Sequence, residues 1–195
     1  MIDFTYSHFL FGMAILAVAL VLLGRQKRGL WYLFFFSIFG MYLLFVVSVI
    51  VFPIAPLSEN YAGTFKPSIN LIPFDFGTCD MLALCYREII KNIQLTIPFG
   101  FGINFIARLK AKDIFWLAML VGFVFEVIQL ILSLVFRSAF RAVDINDVIL
   151  NAVGIWLGYC CFRIFGWLYI LITKKFEIRH RYVFAYIYDV LHPSR

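Results

Sequence analysis

Apolar residues run through this chain in blocks of about 20, separated by short clusters of Lys and Arg, rather than in the alternating or one-faced patterns of soluble strands and helices. A helix rising 1.5 Å per residue needs about 20 residues to cross the roughly 30 Å hydrocarbon core of a bilayer. Five segments fit: Phe4 to Leu23, Leu30 to Phe52, Ile89 to Ala107, Ile114 to Phe136, and Val148 to Ile172. The first is short, and the third carries Lys91, Asn92, Gln94 and Pro98, so these two fit least well. In lipid each peptide group must be satisfied within its own segment, which selects helices over any open strand. The predicted fold is all-α, a polytopic membrane bundle of about five transmembrane helices.

Composition narrows this further. Hydrophobic residues make up 64% and charged residues 14%, where soluble domains carry roughly a quarter charged residues. The 195 residues leave no room for a second soluble domain of usual size. The net charge of +6 is not a nucleic-acid footprint, because the basic residues flank apolar segments instead of covering a face. With five spans, Arg25, Lys27, Arg28, Arg108, Lys110, Lys112, Arg163, Lys174, Lys175, Arg179, Arg181 and Arg195 share one side. The positive-inside rule then predicts an outer N-terminus and a cytoplasmic C-terminus. The charges at the start of the first apolar run are Asp3 and His8, without the basic start of a signal peptide, so that run is expected to stay as a helix.

Between the second and third spans lies a long outward loop, Pro53 to Glu88. Its stretch PSINLIPFDFG is too short to cross a membrane and is expected to lie against the outer interface; DMLALCYREIIKN reads as an amphipathic lead into the third helix. YVFAYIYDVLHPSR at the C-terminus reads as a short interfacial helix. Cys79 and Cys85 sit in the outer loop, where a disulfide and two free thiols are both open, while Cys160 and Cys161 read as core thiols.

Polar residues inside the apolar blocks carry the candidate chemistry. Spacings of three and four put Gly122, Glu126, Gln129, Ser133 and Arg137 on one face of the fourth helix, and Asp144, Asp147, Asn151, Gly154 and Gly158 on one face of the fifth. A short connection makes the two antiparallel and sets Arg137 beside Asp147, Ser133 beside Asn151, and Glu126 near Gly158. On the third helix Glu88, Asn92 and Thr96 align with the same levels, and Pro98 frees the carbonyl of Gln94. The expected result is a polar cleft, open outward and narrowing to Glu126 about 15 Å below the outer helix end. A charged carboxylate there costs roughly 2.5–3.5 kcal/mol, so Glu126 is expected to be neutral or paired.

Plainer roles compete. Asp144 and Asp147 suit helix N-capping, and Asn92, Gln129 and Asn151 suit interhelical hydrogen bonds. Arg137 and Arg141 suit lipid headgroups as well as a bound ligand, and both roles favour phosphate. His8, His180 and His192 are scattered, so no metal or other cofactor is expected.

Four ordered motifs, SINLIPF (Ser68 to Phe74), NIQLTIPFGF (Asn92 to Phe101), FEVIQL (Phe125 to Leu130) and VDINDVILNAVGIWLG (Val143 to Gly158), resemble those of the VanZ-like family, known for teicoplanin resistance. The resemblance covers about Leu30 to Gly158. It implies a small bacterial multi-spanning membrane protein, and it marks Asn70, Pro73, Phe74, Asn92, Pro98, Gly100, Glu126, Gln129, Asp144, Asp147, Asn151 and Gly154 as motif positions. An extra apolar segment before the matching region and a basic tail after it depart from the founding layout.

The organisation expected is an N-terminal helix with its basic loop (1–29), a VanZ-like membrane domain (30–172) and a basic cytoplasmic tail (173–195). The leading functional expectation is a protein of the bacterial cell membrane whose outward cleft binds a lipoglycopeptide or a lipid-linked cell-wall precursor through Asn70, Asn92, Glu126, Gln129, Arg137, Arg141, Asp144, Asp147 and Asn151. Expected partners are membrane lipids and that ligand, with no nucleic acid. An enzyme acting on a lipid-linked substrate through Glu126, Asp144 and Asp147, or a proton-coupled transporter, are the alternatives. Against the enzyme, the chain shows no nucleophile elbow, no HExxH, no phosphate loop and no histidine near the acids.

Overall fold

The computed structural model describes residues 2–54, 69–76, 82–136 and 143–192, with the side chains of 82–85 excepted. In chain order the elements are α1 (Tyr6–Arg25), α2 (Leu30–Ile50), β1 (Ile69–Asn70), α3 (Leu82–Gly102), α4 (Ala111–Phe136), β2 (Val143–Asp144), α5 (Ile145–Lys175) and α6 (Val183–Leu191). The fold is an all-α bundle, and α1, α2, α4 and α5 are each long and apolar enough to cross a membrane. Cys79, Arg137 and Arg141 lie outside the described residues.

The long helices alternate in direction. Leu16 covers Gly40 and Leu44 covers Gly12, so α1 and α2 run antiparallel. Phe39 packs on Phe99 while Phe35 stacks on Phe105 just beyond α3, which sets α3 antiparallel to α2. Along α3 and α5, by contrast, the numbers rise together: Asn92 meets Asp147, Thr96 meets Asn151, Gly100 meets Ile155, and Phe105 meets Phe162. These two helices are parallel.

Their contact is backbone on backbone. A Cβ added to Gly100 would overlap the carbonyl of Ile155, one on Gly158 the carbonyl of Ile97, and one on Gly154 the Thr96 hydroxyl and the Ile93 carbonyl. Lipid tails are as apolar as leucine, so helices in a membrane associate through close packing and hydrogen bonds, and small residues permit both. The seam also explains how α3 tolerates its polar residues. Thr96 is fully buried and its hydroxyl lies 2.9 Å from the Asn151 carbonyl, while the buried Asn104 amide donates to the Gly100 carbonyl at 2.7 Å. Pro98 leaves the Gln94 carbonyl without its helical donor, and beside that break the Tyr42 hydroxyl donates to the Leu95 carbonyl at 2.7 Å.

The register of α4 on α5 differs from the one expected. Gly122 faces Val148, and Glu126 meets Asp144 instead of Gly158, a displacement of about 21 Å along α5 at 1.5 Å per residue. The expected register assumed a tight turn after Phe136. Instead the small and apolar face of α4 decides it, because Ile114 and Ala118 seat against Ala152, Ile155 and Tyr159 with no exposed surface left. As a result α4 runs on past the first turn of α5 for about 15 Å.

The C-terminal helix expected from sequence is present as α6, and it is docked. Val190 is buried with Phe105 and Phe162, Leu191 covers Gly166, and the Tyr186 hydroxyl donates to the Phe105 carbonyl. Burial pushes the Tyr186 phenol above its ordinary value, nearby Tyr32 adds to this, and the Arg108 and Arg28 guanidiniums pull the other way. Cys160 and Cys161 are exposed on α5, not in the core, because α5 turns Ile155, Gly158, Tyr159 and Phe162 toward its neighbours.

Helix propensity alone would make Gly→Ala favourable by about 0.8–1 kcal/mol. At Gly158 the added Cβ would overlap backbone and the sign reverses: an overpacking cost of about 3 kcal/mol leaves a net loss of about 2 kcal/mol after that gain, so Gly158→Ala should lower the melting temperature of the detergent-purified protein by about 4–8 °C. Gly24→Ala, whose Cβ would meet nothing, should leave it unchanged or slightly raised. A Gly158→Ala protein as stable as wild type would refute the backbone seam.

Candidate functional site

The site forms where α5 begins. Ile69 and Asn70 pair in parallel with Val143 and Asp144, in the register Ile69 to Val143 and Asn70 to Asp144. The backbone of Ile69 and Asn70 is therefore stitched to the entry of α5. Behind the ladder, residues 70–75 fold into a tight turn. The Asn70 side-chain oxygen accepts from the Ile72 N–H at 3.1 Å, its amide donates to the Asp75 carbonyl at 2.8 Å, and the same amide sits 3.2 Å from both oxygens of Asp144. This is the local side-chain bonding for which Asn is suited in turns.

Asn146 holds the far side of the turn. Its amide oxygen accepts from the Phe74 N–H at 2.6 Å and its nitrogen donates to the Asp75 carbonyl at 2.8 Å. One buried amide thus reads two backbone groups as a strand edge would. It also fixes Phe74, whose φ of 65° is strained for a bulky residue. Asp144 is the N-cap of α5, accepting from the Asn146 N–H at 2.8 Å, and its own N–H donates to Glu126 Oε2 at 2.9 Å. Glu126 is only 4% exposed. Its carboxylate lies level with the start of α5, beside the positive end of that helix's dipole.

A turn deeper, the half-buried Asn92 amide donates to Asp147 Oδ1. Asn151 is buried, and its side-chain oxygen has no hydrogen-bond partner among the described residues. At the outer edge Glu88 and Lys91 form an exposed ion pair at 2.7 Å, an arrangement worth little in water. The character is acceptor-rich: carboxylate and amide oxygens suited to N–H and O–H donors of a ligand. Among the described residues no three His, Cys, Asp or Glu side chains converge to hold a metal ion.

Of the residues expected from sequence, the structure gathers Asn70, Glu126 and Asp144 into one network and sets Asn92, Asp147 and Asn151 along the α3–α5 seam beneath it. Gln129 is half-buried on the overhanging part of α4, outside this network. Asn146 and Thr96 were not expected as site residues. Asn146 sits off the three-and-four stripe that picks out Asp144, Asp147 and Asn151. The signal available was an amide placed two residues after a capping aspartate, where it can bond outside its helix.

Removing the Asn146 amide leaves the Phe74 N–H without its partner, at a cost of about 1–3 kcal/mol, while the Asp75 carbonyl keeps the Asn70 amide. Asn146→Ala should therefore speed amide hydrogen exchange at Phe74 by about 5- to 150-fold or more while the centre of α5 keeps its protection. Unchanged exchange at Phe74 would show that the turn is held by something else.

Residues 39–166 match the family model described as VanZ/LLP1. Over 127 residues the chain is 33% identical to Protein VanZ of Enterococcus faecium, a stretch that covers 61% of this chain and 69% of that protein. No solved structure matches. The matched region runs from the middle of α2 to the far half of α5 and includes every residue of the network described above, and this chain belongs to the VanZ/LLP1 family.

Proposed function

We propose that this protein is a multi-pass protein of a bacterial cell membrane, with its N-terminus outside and its C-terminus in the cytoplasm. We further propose that the site at the start of α5 binds a glycopeptide-type antibiotic or a lipid-linked cell-envelope precursor, and that the protein lowers susceptibility to teicoplanin. The orientation is supported by the alternating helices, which collect Arg25, Lys27, Arg28, Arg108, Lys110, Lys112, Lys174 and Lys175 at the end opposite the site.

The observation that carries the binding reading is the amphipathic construction of the site. Leu71, Ile72 and Phe74 are 69%, 63% and 75% exposed on the turn whose backbone is held by Asn70 and Asn146. An apolar ledge thus stands directly over an acceptor-rich network, which suits a ligand with a lipid tail and a head rich in N–H and O–H donors. Glu126 and Asp144 hold backbone N–H groups, which favours recognition over acid–base chemistry by these carboxylates. Asp147, half-buried and accepting from the Asn92 amide through Oδ1, is the acid best placed to meet a ligand.

Purified protein in nanodiscs should bind labelled teicoplanin or lipid-linked precursor, and Asp147→Asn should weaken binding about tenfold or more, the scale of a lost hydrogen bond to a charged group. Expression in a susceptible host should raise the teicoplanin concentration needed to stop growth, and Asp147→Asn should abolish the increase. Absence of binding to both ligands, with growth inhibition unchanged by expression, would overturn the proposal.

A further inference from the structure

The opposite end of the bundle holds a cavity of about 1070 Å³, at the upper limit of ordinary ligand pockets. It exists because α4 starts at Ala111, opposite Tyr159, whereas α5 continues to Lys175, about 24 Å farther by helical rise. The flank of α5 below that point is left open on the α4 side, while α6 closes the other side through Val190 and Leu191.

Three cations line this space: Arg108 and Lys110 from the segment between α3 and α4, and Arg163 from α5. Among the described residues no carboxylate forms an ion pair with any of them. Asp113, the acid of the first turn of α4, is instead turned back to accept the Lys110 backbone N–H at 3.1 Å. Apart from Asn104, the remaining walls are mainly apolar, with Phe162 and Trp167 prominent. Trp167 is 63% exposed, and Ile164 and Leu171 continue the exposed apolar surface along α5.

We propose that this cavity seats the phosphate headgroup of an anionic phospholipid. Guanidinium groups match phosphate oxygens bidentately, and basic pockets between membrane helices suit anionic headgroups. A free phosphate ion would use the three cations but not the apolar track beside them; a phospholipid uses both, with its acyl chains along Ile164, Trp167 and Leu171. The site is separate from the network at the start of α5, and it stands whether or not that network binds an antibiotic or a precursor.

Native mass spectrometry of the full-length protein in detergent tests it, with phosphatidylglycerol and phosphatidylcholine of identical acyl chains and with inorganic phosphate as probes. Phosphatidylglycerol should bind at least tenfold tighter than phosphatidylcholine. The variant Arg108→Gln/Lys110→Gln/Arg163→Gln should lose that preference, and Lys174→Gln/Lys175→Gln/Arg179→Gln, an equal loss of charge away from the cavity, should keep it. Should the first triple variant fail to purify as a monodisperse species, Arg163→Gln alone should reduce the preference at least threefold. Equal binding of the two lipids, or equal losses in the two triple variants, would overturn the proposal, as would displacement of the lipid by millimolar inorganic phosphate.

Discussion

The backbone contact between α3 and α5 is the constraint on which the rest of this structure depends. Gly100, Gly154 and Gly158 bring two helices so close that carbonyl oxygens occupy the places where side chains would begin. Contact of this kind admits few registers, since a slide of one residue would put Ile155 or Ile97 against a residue with a Cβ. Once the seam is set, Asn92 must meet Asp147 and the Thr96 hydroxyl must reach the Asn151 carbonyl. A helix carrying Asn92, Thr96 and Pro98 is a poor lipid-facing span; packed on α5, it has partners there for Asn92 and Thr96.

The polar network above the seam follows from the same logic of satisfaction. A chain entering a helix at the level where α4 still runs alongside has backbone groups that water cannot easily reach, and each unpaired one costs several kcal/mol in hydrocarbon. Here the Asp144 N–H goes to Glu126, the Asn146 N–H to the Asp144 side chain, and the peptide groups of Phe74 and Asp75 to the Asn146 amide. Three stretches far apart in sequence thus share one set of bonds. The residues most easily mistaken for catalytic acids are those that hold backbone in place, while the acid one turn into α5, Asp147, faces the amide of a neighbouring helix.

The sequence carried most of the elements and much of the membership of the site. Apolar block length located the long helices, and the spacing of Asp144, Asp147 and Asn151 identified the face of α5 that meets α3. The level of α4 against α5 was not legible. Placing Glu126 requires the register of α4, and that is set by Ile114, Ala118 and Gly122 fitting against α5, a matter of shape that periodicity does not express. The pairing of Ile69 and Asn70 with Val143 and Asp144 was equally hidden, since two-residue strands have no period. Asn146 was missed because a stripe of threes and fours selects residues that face a neighbouring helix, and its amide faces a turn instead.

The stagger of α4 against α5 links the two ends of the molecule. The same offset that lets α4 run past the start of α5, and so brings Glu126 to the Asp144 N–H, withdraws the beginning of α4 from the lower part of α5 and opens the cavity beside Arg163. A register nearer to the one expected from a tight turn would bury that flank of α5 and carry Glu126 deep into the bundle, away from any backbone donor at a helix start. The acidic, amide-rich site and the basic cavity are therefore not two independent additions to a helix bundle. Both follow from seating the small residues of α4 where α5 has room for them.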